Sequence, residues 1–268
     1  MYTRSAELYD AIYGDKDYAG EARQVHEVIQ ALGRSGGRAL LDVACGTGLH
    51  LAQLRAWYDV EGVELSDGML AVARRRLPGV SLHHGDMAEF RLARRFDGIT
   101  CLFSAIGYVR TAERLRRAVA NMARHLEPGG VLIVEPWLFP DAYKPGHIHG
   151  RFVDRPGLKV ARVARGDVEG SLSVLDMHYL VATPSGVDRF TERHEIGLFA
   201  PEEYEDAFRS AGLRVAFDAQ GLTGRGLYAG VKEAPAAAGA VLEQAGHAHR
   251  REPEAMSLGG AAEPDERE

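Results

Sequence analysis

Long apolar runs are missing from this chain of 268 residues: none reaches the ~18 residues of a membrane-spanning helix. The opening YTRSAELYD that follows Met1 does not read as a secretory signal, so a cytoplasmic protein without a membrane partner is expected. Cysteine is scarce. Cys45 and Cys101 are the two present, both on or beside predicted buried strands, which suits reduced thiols and excludes a disulfide framework. Cys45 has no nearby partner that would make it a nucleophile and reads as a small packing residue. Basic charge is not in excess either: 32 lysines and arginines face 38 acidic residues, for a net charge of −6, which argues against nucleic acid as a partner. Internal repeats are absent. What remains is ordinary globular material, 46% hydrophobic, enough for one large α/β domain or two small ones.

The informative stretch is RALLDVACGTGLHLAQ, residues 38 to 53. Leu40, Leu41 and Val43 suit a strand buried on both faces, and Gly46 and Gly48 let the backbone turn tightly against a ligand where a helix begins. Free amides and the positive end of the helix dipole make that turn a site for an anionic or carboxylate-bearing group. A dinucleotide fingerprint would carry a third glycine at position 51. Leu51 stands there instead, which counts against NAD or FAD and ranks a hydride-transferring oxidoreductase last. Glu64 closes the next apolar run, VEGVELS, within reach of ribose hydroxyls. Asp86 in HHGDM follows a third predicted strand and suits an adenine amino group. Three such motifs at the carboxyl ends of successive strands define a crevice at the edge of a parallel sheet.

Along the chain, residues 5–13 and 17–32 read as helices capped by Ser5 and Asp17. Tyr2, Tyr9, Tyr13 and Tyr18 crowd this region, and a tyrosine-bearing segment ahead of the first strand can fold over the site and exclude water. Strands at 39–43, 60–64, 80–83, 97–103 and 131–135 alternate with helices at 47–57, 67–76 and 111–126, the rhythm of a doubly wound, mainly parallel sheet. Pro128, Gly129 and Gly130 punctuate the last of these helices and the strand after it. Between 150 and 199 the helical period is lost. Three runs, LKVARVAR, SLSVLDMHYLVA and VDRFTERHEIGLF, read as a small inserted antiparallel sheet. The helix PEEYEDAFRSAG and the strands LRVAFDAQ and GLYAGV then complete seven strands. The expected division is 1–136 with 200–231 as the main domain, 137–199 as the insert, and 232–268 as a disordered tail.

DVACGTG, GVELS and GDM, in this order and spacing, resemble the cofactor motifs of class I S-adenosylmethionine-dependent methyltransferases. With TCLFSAIGYV, VEPWLFP, MHYLVA, SGVDRF and GRGLYAG added, the chain from about 1 to 230 closely resembles the N-methyltransferases that act on nucleotide-linked amino sugars in antibiotic biosynthesis. The resemblance implies a Rossmann-like fold, S-adenosyl-L-methionine as cofactor, a dTDP-linked deoxyaminosugar as substrate, an N,N-dimethyl product, and a homodimer to whose association the inserted sheet contributes. It places Tyr9, Tyr18, Asp42, Ala44, Gly46, Gly48, Glu64, Leu65, Met69, Asp86, Met87 and Phe103 at the cofactor. It places Tyr2, Trp137, Phe139, Arg162, Tyr179 and Arg225 at the substrate, with Arg225 meeting the pyrophosphate. In FSAIGYV the family carries histidine where this chain has Tyr108, so a histidine base does not transfer to that position.

Methyl transfer from a sulfonium asks chiefly for alignment, enclosure and a free amine lone pair. Tyr2 and Tyr108 are the candidates to orient the amine while solvent takes its proton, because a phenol with a pKa near ~10 is a poor base at neutral pH. His83, His84, His147, His149, His178 and His194 are spaced without a closed ligand set, and the chemistry needs no Lewis acid, so no metal is expected. Two rivals keep the cofactor: an O- or C-methyltransferase of another small metabolite, and a non-catalytic protein that binds S-adenosylmethionine.

Overall fold

The computed structural model describes residues 4–233. Tyr2 and the expected tail beyond residue 233 lie outside the described residues. Five strands run parallel: β1 (Ala39–Val43), β2 (Asp59–Glu64), β3 (Ser81–His84), β4 (Phe96–Cys101) and β5 (Leu126–Val134). Two more, β10 (Leu213–Asp218) and β11 (Leu227–Lys232), extend the sheet through antiparallel pairing of β11 to β5, giving the order β10-β11-β5-β4-β1-β2-β3. The chain reverses direction of growth between β1 and β4, and a crevice opens there beyond the carboxyl ends of the strands.

Alternation along the buried strands sends successive side chains to opposite faces. Leu41, Val43, Ile99, Cys101, Leu132 and Val134 pack against α5 (Ala112–Arg124) and α6 (Pro201–Ser210). Leu40, Val60, Val131 and Ile133 meet α2 (Tyr18–Leu32) and α3 (Leu49–Leu54) on the other face. Leu51 has a partner that explains the missing third glycine. A Cβ on Gly62 would stand 2.9 Å from its Cδ1, so the close approach of helix and sheet is allowed by a glycine in β2 instead. The remaining helices are α1 (Ala6–Ile12) and α4 (Asp67–Arg76); no helix of the described residues is long and apolar enough to cross a membrane.

The insert has four antiparallel strands where three were expected: β6 (Ile148–Arg155), β7 (Leu158–Glu169), β8 (Leu172–Thr183) and β9 (Gly186–Gly197). The missed strand, β6, is an edge strand with its pattern reversed. Ile148 and Phe152 are exposed, whereas His149, Arg151 and Val153 alternate to the face that bears the cavity and a small core. Three further corrections concern local order. β5 begins at Leu126, because the chain passes through Pro128 and the glycines as an irregular stretch where the register against β4 shifts. The helix expected over 47–57 shrinks to α3, since the turn itself takes up residues 44–48. Asp17 caps α2 by accepting from the Gly20 amide, but Ser5 does not cap α1: its hydroxyl donates to Glu192 of β9 instead.

Candidate active site

One cavity of about 570 Å³ fills the crevice, with the ends of β1, β2, β4 and β5 below and the inner face of the four-stranded sheet above. Its size suits a cofactor with part of a second ligand. The floor is shaped by backbone held in uncommon conformations. Ala44, Phe103 and Ser104 all have positive φ, at 59°, 52° and 61°, and such non-glycine positions persist only where the surroundings enforce them. Two buried carboxylates do the enforcing. Glu64 accepts from the amides of Gly46, Leu65 and Ser66 at 2.9, 2.9 and 2.8 Å, and Glu135, fully buried, accepts from the Phe103 amide at 2.6 Å and from the Thr223 hydroxyl.

The glycine-turn end of the cavity is acidic and apolar by turns. Asp42 sits beneath it with the Thr100 hydroxyl donating to its carboxylate at 2.7 Å across the β1–β4 boundary. Burial pushes the Asp42 carboxyl up to about 6, against the opposing pull of the charge on His50 and the hydroxyl of Thr100. Leu65, Met69 and Met87 line the wall beside Glu64 and Asp86, and Asp86 is held by Arg114 at 2.6 Å. No atom lies within 4 Å of where a Cβ on Gly46 would stand, so the turn leaves room in front of its amides. The residues therefore fit an adenosine-bearing group: an acceptor-only carboxylate for two hydroxyls, apolar flanks for a flat base, and free space at the glycine turn.

The other end is cationic and aromatic. Arg225 lies over the Phe103 and Trp137 rings, 5.7 and 5.1 Å from their centroids, and donates to the Ser104 hydroxyl at 3.1 Å. Buried Arg162 donates to the Tyr13 hydroxyl at 2.8 Å with its guanidinium over the same ring. His147, His149, Arg151 and Lys144 line the same end. Burial, with Arg162, His147 and Arg151 beside it, pushes the His149 imidazole below its ordinary range. α1 and the start of α2 close one side. The Thr47 hydroxyl donates to Asp10 at 2.7 Å, Arg76 clamps both residues, and Tyr9, Tyr13 and Tyr18 line the cavity.

Of the expected site residues, the structure brings Tyr9, Tyr18, Asp42, Ala44, Gly46, Glu64, Leu65, Met69, Asp86, Met87, Phe103, Tyr108, Trp137, Arg162 and Arg225 to the cavity wall. Gly48 is set back as the residue preceding α3. Two others are corrections. Phe139, half-buried, packs edge-on to Tyr204 and Phe217 against the outside of the core and not in the cavity wall. Tyr179 stacks on Phe190 at 4.6 Å within the sheet core, so its ring stabilises the insert and does not reach the cavity. Sequence reasoning missed His50, Ser104, Arg114, His147, His149 and Arg151 as wall residues. For His149 and Arg151 the signal existed: a polar face alternating with Ile148 and Phe152 marks a strand whose inner side is not a core.

A Rossmann-like sheet with a carboxylate at the end of β2 and a strained glycine turn after β1 defines a protein built to hold a nucleoside cofactor, and the comparisons with known proteins give its class as methyltransferase. Residues 40–130 match the family described as "Methyltransferase domain". The chain is 46% identical over 230 residues to the dTDP-3-amino-3,4,6-trideoxy-alpha-D-glucopyranose N,N-dimethyltransferase of Streptomyces venezuelae, covering 84% of this chain and 97% of that one. It is 45% identical to the dTDP-3-amino-3,6-dideoxy-alpha-D-glucopyranose N,N-dimethyltransferase of Streptomyces fradiae, covering 84% and 90%. Among solved structures it superposes on DesVI of Streptomyces venezuelae with a TM-score of 0.80 at 45% identity, covering 84% of this chain and 97% of that chain. A SAM-bound amino pentose methyltransferase from Micromonospora echinaspora gives 0.76 at 42% identity, covering 84% and 96%. The chain belongs to the family of S-adenosylmethionine-dependent sugar N-methyltransferases.

Replacing Glu64 by alanine is expected to weaken S-adenosylmethionine binding by roughly 1.5–3 kcal/mol, the scale of hydrogen bonds to a charged group. Calorimetric titration checks this, and unchanged affinity in a folded variant removes Glu64 from the site. Asp42 gives a second expectation. Its carboxyl is raised in the folded chain, to about 6, so the folded state holds that proton more tightly than the unfolded chain does. Its contribution is fully present below the ordinary carboxylate range and is lost as pH rises through about 6. Urea unfolding from about pH 4 to 6 should show wild type losing roughly 1.4 kcal/mol per pH unit relative to Asp42→Asn. Parallel curves would contradict it.

Proposed function

We propose that this enzyme dimethylates the amino group of a dTDP-linked deoxyaminosugar. The observation that carries the reading is the polarity of the cavity: a glycine turn with Glu64 at one end and Arg225 with Arg162 at the other, joined by an apolar and aromatic floor. In this reading Glu64 takes the ribose hydroxyls, Asp86 the adenine amino group, and Leu65, Met69 and Met87 flank the base. Tyr9 and Tyr18 cover the cofactor from the N-terminal helices. Arg225 meets the pyrophosphate: a planar fork already oriented between Phe103, Trp137 and Ser104 suits paired phosphate oxygens. When bound, the cofactor supplies a methyl group on a sulfonium, whose S–C bond breaks as the N–C bond forms and leaves a neutral thioether. The chain's own residues align the amine with that methyl, keep bulk water out, and hold the substrate by its phosphates. Incubation with the dTDP-amino sugars that the relatives' names specify, followed by mass spectrometry, tests the reading: the gain of two methyl groups on an amino sugar supports it, and methylation only of hydroxy sugars would replace it with an O-methyltransferase.

Arg225→Lys keeps the charge and loses the fork, so the apparent KM for the nucleotide sugar is expected to rise about tenfold or more while kcat changes less. Steady-state kinetics with calorimetry checks this; weaker cofactor binding with an unchanged sugar KM would place Arg225 elsewhere.

The second copy in a homodimer is the natural occupant of the outer face of the four-stranded sheet. Ile148, Phe152, Val163, Leu180 and Val187 are exposed there, Phe152 by 75%, on a face that a monomer would leave wet. Sedimentation of the Phe152→Asp, Leu180→Asp variant should shift the protein from dimer to monomer; a wild type that sediments as a monomer would refute it. Two buried free cysteines support a reducing, cytoplasmic setting, and the net charge of −6 supports a small-molecule partner over nucleic acid.

A further inference from the structure

From sequence alone, solvent takes the proton of the reacting amine. The structure puts a tyrosine hydroxyl on the cavity wall in contact with a buried histidine. The Tyr108 hydroxyl, on the cavity wall, lies 2.8 Å from Nδ1 of His194 in β9. His194 is buried, 1% exposed, and its Nε2 faces the Glu192 carboxylate at 3.7 Å. Glu192 is fixed as an anion: Oε1 accepts from the Arg4 and Ser5 amides at 3.0 and 3.2 Å, and Oε2 accepts from the Ser5 hydroxyl at 2.5 Å. Burial alone would raise this carboxyl, but His194 and the Ser5 and Arg4 donors hold it down at about 2. Nε2 and the carboxylate are within ion-pair but not hydrogen-bond distance, and the relay uses the tautomer in which Nδ1 accepts from the Tyr108 hydroxyl.

Building on the methyltransferase reading above, we propose that Tyr108, His194 and Glu192 form a proton relay that takes the proton from the substrate ammonium and so frees the amine for attack. The Tyr108 oxygen accepts a proton from the bound ammonium while its own proton passes to Nδ1 of His194. The products are a neutral amine and an imidazolium, with Tyr108 again neutral. The imidazolium so formed stands within ion-pair distance of the Glu192 carboxylate, and methyl transfer to the freed amine draws the proton transfer forward. The proton returns through Tyr108 to solvent when the product leaves. A phenol that passes a proton on need not become a phenolate, so its high ordinary pKa is no obstacle.

Other titratable groups pack around these three residues, Tyr179 of β8 beside Ser5 and Glu192 among them. Tyr9 of α1 shares the cavity, and Arg162 of β7 is engaged by Tyr13. On β8, apolar Leu175 stands opposite His194, and Met177 stands opposite Glu192. Arg110, two residues from Tyr108, turns outward and pairs with Glu195 at 2.9 Å. Tyr108 lines the cavity, whereas His194 and Glu192 act through it.

The test uses the full chain with S-adenosylmethionine and a dTDP-amino sugar in single-turnover pH series on wild type, Tyr108→Phe, His194→Gln and the double variant. Each single variant should be slower by about 10²-fold near neutral pH, with cofactor affinity unchanged by calorimetry. The deficit should close as rising pH deprotonates the amine directly, and the double variant should be no slower than the worse single one, because residues acting as a unit are not additive. NMR of imidazole nitrogens gives a readout apart from turnover: binding the amino sugar with S-adenosylhomocysteine should convert His194 to imidazolium in wild type and not in Tyr108→Phe. If His194→Gln does not fold, Tyr108→Phe and the NMR decide. A wild type that methylates no amino sugar removes the underlying reading and the relay with it. An active wild type with a Tyr108→Phe variant of matching rate and pH profile, a deficit that does not change with pH, or a His194 signal unmoved by substrate overturns the relay alone.

Discussion

The Glu64 carboxylate is the constraint on which the rest of the site depends. It gathers the amides of Gly46, Leu65 and Ser66 into one anchor, which joins the turn after β1 to the start of α4. Without that acceptor three backbone donors at the end of a buried parallel sheet would lack partners, and the positive φ at Ala44 would have no compensation. Glu135 repeats the device one layer across, tying the Phe103 amide to the loop that carries Arg225. Two acidic strand ends thus hold the two halves of the cavity floor. The strain at Phe103 and Ser104 is what aims one ring and one hydroxyl at the Arg225 guanidinium.

The two sheets divide the chemistry. The parallel sheet carries acceptors and an apolar bed at its strand ends, so it suits a hydroxyl-rich, cationic cofactor. The antiparallel sheet turns arginines and histidines inward from β6 and β7, so it suits an anionic nucleotide. Because the insert interrupts the chain between β5 and α6, both ligand-binding surfaces are fixed to the same central strands. α1 is held to both: Asp10 bonds Thr47 in the glycine turn, and Ser5 bonds Glu192 in β9. This dual attachment explains why Ser5 gives up its helix cap. A hydroxyl that meets a buried carboxylate gains more than one that satisfies an exposed amide.

Much of this was legible in the residues. Short apolar runs suited to strands buried on both faces, set between amphipathic helices, announced β1 to β5, and the acids closing β2 and following β3 marked the crevice, because a carboxylate ending an apolar run has to face either solvent or a ligand. The failures have a common cause. Wherever a position answered to tertiary contacts and not to local pattern, the reading missed: Phe139 was placed at the substrate with Trp137, yet its half-buried ring packs against Tyr204 and Phe217. β6 was hidden because its apolar residues face outward. The Tyr108 contact joins a turn after β4 to β9, 86 residues away, and no local pattern reports a pairing at that distance.

The account rests on one cavity presenting a nucleoside end and a pyrophosphate end around a single reacting amine. A crystal structure of the enzyme with S-adenosylhomocysteine and a dTDP-amino sugar bound together tests that arrangement most directly. The account predicts ribose hydroxyls on Glu64, pyrophosphate oxygens on Arg225, and the amine between the thioether sulfur and the Tyr108 hydroxyl. A nucleotide sugar bound with its pyrophosphate away from Arg225, or with its amine out of line with the sulfur and remote from Tyr108, would contradict it.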